Sequence, residues 1–402
     1  MPKKWVGNFE YGELATVFFL QMMGTGTWLV PLSRILNANG YSALAPYAYA
    51  TSAAAAFVSP LIFGAMADRH ASPVVVLRLI AIGSAGGVAL ASFAIQQHWP
   101  AGAILALIQV YSLFAVPTNG IASTIVFSRL RDSQKQFGPV RSMGTLGWMC
   151  GCWLISLLNF DVSPRAGYFG ALVWVTLAAF TFILPAVPPP ASGPTRLRER
   201  MGWDALDLLK HHDHGVVFLT AALFSIPLAA FYPFTPPQMQ QLGLQHTAAW
   251  MSLGQITEML AMFCLAGLIV NVRLKWIFAT GLAVCVLRYS FCAVNSRPWV
   301  LAGVTLHGLS FTLFFITAQI YLNERVEQVW RARAQSLMSL MTSGVGNLLG
   351  YLGTGFWFQT CRLEGDRVRW PLFWGGLAVV VAVVLALFLK SYHGRPKQRE
   401  PS

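Results

Sequence analysis

Charged residues are scarce in this chain. Only 11% of its 402 residues are Asp, Glu, Lys or Arg, and 55% are hydrophobic, whereas soluble domains carry roughly 25% charged residues. So few ionic side chains cannot cover the surface of a water-soluble globule. The shortage is greatest among acidic residues, which number 15 against 28 Lys and Arg, so the chain is strongly basic.

Several catalytic signatures are missing as well. The sequence has no Gly-x-x-x-x-Gly-Lys-Ser/Thr phosphate loop, no Gly-x-Ser-x-Gly nucleophile turn and no His-Glu-x-x-His zinc motif. Its 6 cysteines fall mostly inside apolar segments, without the spacing of metal ligands. We therefore predict a protein that is not an enzyme and has no catalytic residues, bound metal or cofactor.

Long apolar segments are what the sequence has in abundance. Uncharged stretches such as 41–67 and 370–389 reach the length of about 20 residues that a helix needs to cross a bilayer. The run 79–128 has room for two crossings. Helices satisfy their own backbone hydrogen bonds in lipid. We predict an all-α membrane protein with about twelve transmembrane helices.

Lys and Arg are distributed unevenly between the predicted connections. If the chain has twelve spans, nineteen Lys and Arg residues lie on the side that holds both termini, and six lie on the opposite side. Cytoplasmic connections are enriched in these residues, so we predict cytoplasmic termini and a multi-pass location in the bacterial inner (plasma) membrane. The net charge of +13 is then mostly a topology signal, with some attraction to anionic lipid. It gives no indication of nucleic-acid binding.

One long polar interruption divides the chain. It covers residues 188–214 and opens with three consecutive prolines, which is typical of a linker. We predict an N-terminal six-helix bundle at 1–187, a cytoplasmic linker at 188–214 and a C-terminal six-helix bundle at 215–402, with a short basic tail. Two six-helix repeats joined by a basic loop resemble the major facilitator superfamily, in which the halves rock about a central site.

Ionisable residues inside spans are costly, at roughly 2.5–3.5 kcal/mol each near the bilayer centre. Arg141, Glu258 and Arg288 are such residues. In the fifth span Arg141, Thr145 and Trp148 fall on one helical face, and glycines occupy another. The first face could contact a polar solute while the glycines pack on a neighbouring helix. Alternatively, Arg141 extends to the membrane interface and Trp148 fills the core.

Glu258 lies well inside the eighth span, with Gln255 one turn earlier on the same face. A carboxylate there could bind a proton or accept hydrogen bonds from a solute. The alternative is a structural ion pair with Arg288 or Arg141.

Histidines give two further candidates. His307 precedes Phe311 by one helical turn in the tenth span. It could carry a proton or be a buried, hydrogen-bonded side chain. The sequence His211-His212-Asp213-His214 invites a metal hypothesis, but it lies in the predicted linker beside a span. We therefore interpret it as a solvated or headgroup-facing segment.

Short motifs along the chain resemble known transporters. Gly64, Asp68 and Arg69 fit the Gly-x-x-x-Asp-Arg/Lys loop of major facilitator proteins, which implies a structural or gating role for them. We predict a structural or gating role for Arg288 as well. Further motifs resemble the bacterial nucleoside:proton symporters along nearly the whole chain, namely Leu20-Gln21 with Trp28, 137–148, Gln255-x-x-Glu258 and 325–335.

This resemblance implies a nucleoside site lined by Arg141, Thr145, Trp148, Gln255, Glu258 and Phe311. The chain resembles lactose permease more distantly. The sugar-stacking Trp of that permease matches Trp148, and its essential Arg, Glu, Arg and His match Arg141, Glu258, Arg288 and His307, respectively.

The sequence also departs from these families. Where the nucleoside symporters have Gln and Asn on the seventh helix, this chain has Ala229 and Tyr232, so Tyr232 joins the candidate substrate contacts. Where the relatives carry a carboxylate on the tenth helix, it has Ser310 and Thr312. Proton coupling would then depend on Glu258, with His307 as a second candidate, or be absent.

The sequence as a whole predicts a monomeric secondary transporter that takes up nucleosides with protons by alternating access. Its partners would be a small polar solute, protons and membrane lipid. One alternative is a sugar or oligosaccharide:proton symporter. Another is an uncoupled facilitator or a transport-dead sensor with the same fold.

Overall fold

The computed structural model describes residues 8–59, 62–63, 66–67, 71–130, 133–186, 203–327, 330–364 and 367–394. Helix dominates these ranges, in which β pairing is limited to an isolated bridge between Arg362 and Val368. Gly64, Asp68 and Arg69, to which the sequence assigns a gating role, lie outside the described residues.

The α-helices are numbered in chain order. They are α1 (Asn8–Leu29), α2 (Leu32–Ala38), α3 (Ala45–Ser59), α4 (Pro73–Gln96), α5 (Ala101–Ala115), α6 (Thr118–Arg129), α7 (Ser133–Leu157), α8 (Arg165–Phe180), α9 (His212–Leu228), α10 (Phe231–Gln241), α11 (Thr247–Met251), α12 (Leu253–Asn271), α13 (Leu274–Ala293), α14 (Arg297–Phe311), α15 (Thr317–Arg325), α16 (Arg331–Ser339), α17 (Asn347–Cys361) and α18 (Trp370–Ser391). Short 3-10 helices occupy Ser42–Leu44 and Trp203–Lys210, and π-helical turns occupy Thr312–Ile316 and Leu340–Gly346.

Twelve helical stretches of the described ranges correspond to the twelve predicted spans. Eight are long and apolar enough to cross a membrane, namely Glu10–Ala38, Pro73–Gln96, Ala101–Arg129, His212–Gln241, Thr247–Leu265, Leu274–Ala293, Arg297–Arg325 and Trp370–Ser391. The other four are α3, α7, α8 and the stretch 331–361. Of these, α7 has sufficient length at 25 residues, but it begins with polar residues. The prediction of a helical, multi-span membrane protein is confirmed.

The first compact unit comprises residues 1–194, 232–240 and 244–252. Within it, α7 packs closely along α1 because glycines face the neighbouring backbone. A Cβ at Gly147 would collide with the carbonyl oxygen of Phe19, and one at Gly151 would lie 2.9 Å from that of Met23. The predicted glycine face of the fifth span is thus the face that packs on α1.

Local signals fix the ends of the helices in this unit. At the start of α4 the Ser72 hydroxyl accepts a hydrogen bond from Val74 N at 3.3 Å, and Pro73 occupies the first helical position. Both features are typical of helix N-termini. At the end of α6, Arg129 forms a 2.6 Å ion pair with Glu13 of α1.

The second compact unit comprises residues 195–231, 241–243 and 253–402. An aromatic cluster fills the space between α13, α18 and the π-helical turn after α14. The ring of Phe278 lies 5.3 Å from that of Phe314, 5.7 Å from Phe388 and 6.1 Å from Tyr392. Such inclined and edge-to-face contacts add to the apolar area that the rings bury.

Helices α12 and α14 of the second unit cross at a glycine. A Cβ at Gly308 would collide with the carbonyl oxygen of Gly254 and the backbone nitrogen of Glu258. Close contact at this point brings the backbone of α12 at Glu258 directly against α14.

The predicted division into bundles at 1–187 and 215–402 stays a prediction.

Candidate functional site

Helix α7 carries the first group of candidate residues. Thr145 and Trp148 are both buried, with 6% and 7% of their surface exposed, and Arg141 is half-buried. The Arg141 guanidinium carbon lies 5.4 Å from the ring centre of Phe18 on α1. A cation over an aromatic face is stabilised by the ring quadrupole. The side chain of Arg141 therefore packs against α1. Arg141 shares α7 with Thr145 and Trp148.

Trp148 and Tyr232 form an aromatic pair within the first unit. Their ring centroids are 5.9 Å apart and their planes are inclined by 56°. Gly26 makes room for the indole, because a Cβ there would lie 3.2 Å from Trp148 Cδ2. The hydroxyls of Ser33 and Tyr49 both lie 3.4 Å from the carbonyl oxygen of Tyr232, which fixes the backbone at the tyrosine. The pair can offer a flat ligand two ring surfaces.

Gln21 is a residue that reasoning from helical periodicity did not select. It is 2% exposed on α1, and its Nε2 donates to the Thr118 hydroxyl at 2.9 Å. Its Oε1 is buried without a hydrogen-bond partner. Buried polar atoms are nearly always paired with protein or water, so this oxygen is available to a donor group of a ligand or to water.

Helix α12 carries the second group of candidates. Gln255 is 5% exposed, and its Oε1 likewise has no hydrogen-bond partner. Glu258 follows one turn later and is half-buried. Beside them the Thr257 hydroxyl bonds to the carbonyl oxygens of Gly254 and Thr305, which joins α12 to α14. An acceptor and a carboxylate thus lie one turn apart on a helix that α14 holds in place.

Arg288 and His307 are in direct contact inside the second unit. Arg288 is fully buried, and its Nη1 lies 2.7 Å from Nδ1 of His307. The imidazole stacks on Phe231 with centroids 3.9 Å apart, and the guanidinium also donates to the Tyr289 hydroxyl at 2.9 Å. A guanidinium can only donate, so His307 accepts at Nδ1 and carries its proton on Nε2. A second positive charge on the imidazole would be in contact with the first.

Three side chains that follow His307 complete this group. Phe311 is half-buried, with its ring 6.4 Å from that of His307. The Ser310 hydroxyl donates to the carbonyl oxygen of Gly281 at 2.8 Å, and that of Thr312 lies 3.5 Å from the carbonyl oxygen of Glu258. Both hydroxyls thus face backbone carbonyl oxygens of neighbouring helices, Ser310 that of Gly281 on α13 and Thr312 that of Glu258 on α12.

The candidate residues fall into two sets. Arg141, Thr145, Trp148 and Tyr232 belong to the first unit. The second unit contains Gln255, Glu258, Arg288, His307 and Phe311. Each set combines hydrogen-bonding groups with aromatic rings, which is the chemistry that would bind a small, partly aromatic, polar solute.

The fold defines the class of protein. Over 95% of this chain and 99% of the other, the structure matches a crystal structure of a mutant of the nucleoside transporter NupG, with a TM-score of 0.87 and 24% sequence identity. A second crystal structure of NupG gives a TM-score of 0.82 at 23% identity. The chain therefore has the same fold, the major facilitator fold.

The family follows from the sequence comparison. The family model described as "Nucleoside H+ symporter" matches residues 12–394, so the chain belongs to the nucleoside:proton symporter family. YegT of Escherichia coli K12, whose name assigns it provisionally to nucleoside transport, is 31% identical over 94% of this chain and 92% of YegT. The nucleoside permease NupG of the same organism is 26% identical over 95% of this chain and 96% of NupG. The resemblance to nucleoside:proton symporters drawn from the sequence is confirmed.

Proposed function

We propose that this transporter takes up nucleosides together with protons across the bacterial inner membrane, by alternating access of residues 1–187 against residues 215–402. The family match over residues 12–394 carries the proposal. Because major facilitator transporters bind their solute near the bilayer midplane, polar residues at mid-span are the expected substrate contacts.

The first unit would contribute rings and donors to the nucleoside. Trp148 and Tyr232, whose centroids are 5.9 Å apart, would stack on the base, because aromatic side chains bind bases through their faces. Arg141 and Thr145 precede Trp148 by two helical turns and one turn, respectively. They would donate hydrogen bonds to base or ribose oxygens.

The second unit would contribute an acceptor, a carboxylate and a further ring. Gln255 Oε1 is buried without a hydrogen-bond partner, and the hydroxyls of a ribose supply donors that suit it. Phe311 would pack against the apolar side of the ligand. Glu258 would accept a hydrogen bond from the nucleoside or bind the coupled proton.

We assign the proton to Glu258 and a positioning role to His307. Arg288 occupies Nδ1 of His307 at 2.7 Å, so a proton added there would displace a hydrogen bond and meet a fixed positive charge. Protonation of Glu258 instead removes a negative charge from a membrane span. That change lowers the cost of moving the carboxyl group through a less polar environment, which favours reorientation of the loaded carrier.

Uptake by proteoliposomes tests this function. Labelled uridine or adenosine should enter faster under an imposed inward proton gradient, and a protonophore should remove the difference. Equal uptake with and without the gradient would support the uncoupled facilitator. Uptake of a disaccharide without any nucleoside uptake would support the sugar symporter, and nucleoside binding without flux would support the sensor.

Two further expectations concern assembly and orientation. We propose a monomer with both termini in the cytoplasm, because the connections on that side hold nineteen of the Lys and Arg residues against six. Light scattering of the purified protein and reporter fusions at each terminus would check these points.

A further inference from the structure

Three side chains with metal-binding groups meet where α9 begins and where the chain leaves α18. His212 and Asp213 lie in the first turn of α9, and His393 follows α18 by two residues. One ligand atom from each lies within 4.8 Å of the other two. All three belong to the second compact unit, although His393 is 180 residues from Asp213 along the chain.

Packing fixes the segment that carries His393. The neighbouring Tyr392 is 2% exposed, and its ring stacks on Phe388 with centroids 5.0 Å apart. The ring also lies 6.1 Å from Phe278. One turn earlier, Lys275 Nζ donates to the carbonyl oxygen of Leu389 at 2.8 Å. The chain after α18 is therefore anchored in the aromatic cluster, and His393 has a defined position beside α9.

Hydrogen bonds orient the three groups further. The backbone nitrogen of His393 donates to Asp213 Oδ1 at 3.2 Å. His212 Nε2 lies 2.8 Å from the carbonyl oxygen of Ser391, and the rings of His212 and His393 are 5.0 Å apart. A carbonyl accepts only from a protonated nitrogen, so the neutral imidazole of His212 has its lone pair on Nδ1. A second hydrogen bond of this kind typically orients a metal-binding histidine.

The donor set selects the kind of ion. Two imidazoles and one carboxylate suit Zn²⁺ and neighbouring divalent transition metals, whereas Mg²⁺ and Ca²⁺ prefer oxygen ligands alone. His212 and His393 are exposed and Asp213 is half-buried, so an ion can enter from solvent and keep water as a further ligand.

We propose that His212, Asp213 and His393 form a binding site for a divalent transition-metal ion of the Zn²⁺ type, which ties the end of α18 to the start of α9. The sequence alone favoured a solvated segment because His211 to His214 lie in the predicted linker, and it did not show that His393 lies beside them. The proposal does not depend on which solute the protein transports.

Zinc binding by tag-free, chelator-treated protein in detergent tests the site. The wild type should retain one Zn²⁺ per chain through gel filtration and should unfold at a higher temperature with Zn²⁺ than without, because an ion that binds the folded state stabilises it. Mg²⁺ should do neither. His393→Ala and Asp213→Asn should each weaken zinc binding by about tenfold or more.

His211→Ala is the matched control. His211 is exposed and adjacent, but it is not among the three ligands, so this variant should bind Zn²⁺ like the wild type. Gel-filtration profiles and helical circular dichroism verify that every variant is folded. Absence of zinc binding in the wild type, undiminished binding in folded His393→Ala, or loss of binding in folded His211→Ala would each overturn the proposal.

Discussion

Asp161 holds together three parts of the first compact unit. The residue is 5% exposed, and its Oδ1 accepts hydrogen bonds from Ala248 N at 2.8 Å and from the Ser156 hydroxyl at 3.1 Å. The Thr247 hydroxyl lies 3.5 Å from the same oxygen and accepts a hydrogen bond from Arg34 Nη1 at 3.1 Å. The carboxylate thus links the end of α7, the start of α11 and the buried guanidinium on α2.

Removing this carboxylate should be strongly destabilising. A hydrogen bond to a charged group contributes about 1.5–3 kcal/mol, and truncating one member of a buried charged network costs about 3–5 kcal/mol. We expect Asp161→Ala to lower the free energy of unfolding by about 3–5 kcal/mol, because Ala248 N loses its acceptor and Arg34 loses its nearby negative charge. Asp161→Asn keeps an oxygen for Ala248 N and should cost about 1–3 kcal/mol.

Thermal unfolding of the purified variants in detergent provides the assay. Membrane proteins of this size need not unfold in two states, so the order of the melting temperatures is the result that counts. We expect wild type to be highest, then Asp161→Asn, then Asp161→Ala. Asp207→Ala is the control, since Asp207 is 75% exposed in an ion pair with Lys210, and it should melt like the wild type. Equal melting of Asp161→Ala and the control would refute the reasoning.

Three other predictions concern transport and packing. Glu258→Gln should make nucleoside uptake independent of an imposed proton gradient, whereas His307→Asn should keep the dependence, which flux assays at matched protein density would check. Trp148→Ala should weaken nucleoside binding about tenfold or more, because base stacking on an aromatic side chain contributes roughly 1–3 kcal/mol. Trp148→Phe should retain most of the affinity, and calorimetry would measure both variants. Gly308→Ala should lower the melting temperature, since overpacking typically costs about 1–3 kcal/mol, while Gly353→Ala, where a Cβ meets nothing within 4 Å, should not.

The helical spans could be predicted because lipid imposes a simple length and hydropathy rule. The close packing of α7 on a neighbouring helix was also accessible, since periodicity places Gly147 and Gly151 on one helical face. Breaks within spans were harder to place. The chain leaves regular α-helix for π-helical turns at Thr312–Ile316 and Leu340–Gly346. Neither segment contains a proline, the residue that most clearly signals a break in a helix.

Contacts within the site needed coordinates. Helical wheels order residues on one helix, but they do not show which neighbouring helix each face meets. The pairing of Trp148 with Tyr232 joins residues that are distant along the chain, and the contact between Arg288 and His307 depends on how α13 packs against α14. The unpartnered Oε1 atoms of Gln21 and Gln255 could not be predicted either, because a glutamine in the sequence says nothing about whether its oxygen is bonded.

The polar groups of α13 and α14 explain how the charge of Arg288 is tolerated inside a span. They also bear on which side chain could carry the coupled proton. Arg288 is fully buried, and its guanidinium carbon lies 4.4 Å from the ring centre of Tyr289 and 4.8 Å from that of Phe231. The Tyr289 hydroxyl in turn donates to the carbonyl oxygen of Pro227 at 2.7 Å. This network would lose a hydrogen bond if His307 took up a proton at Nδ1, so its integrity requires a neutral imidazole. For the proposed proton symport, we therefore place the change of charge on a carboxylate of another helix, Glu258 on α12.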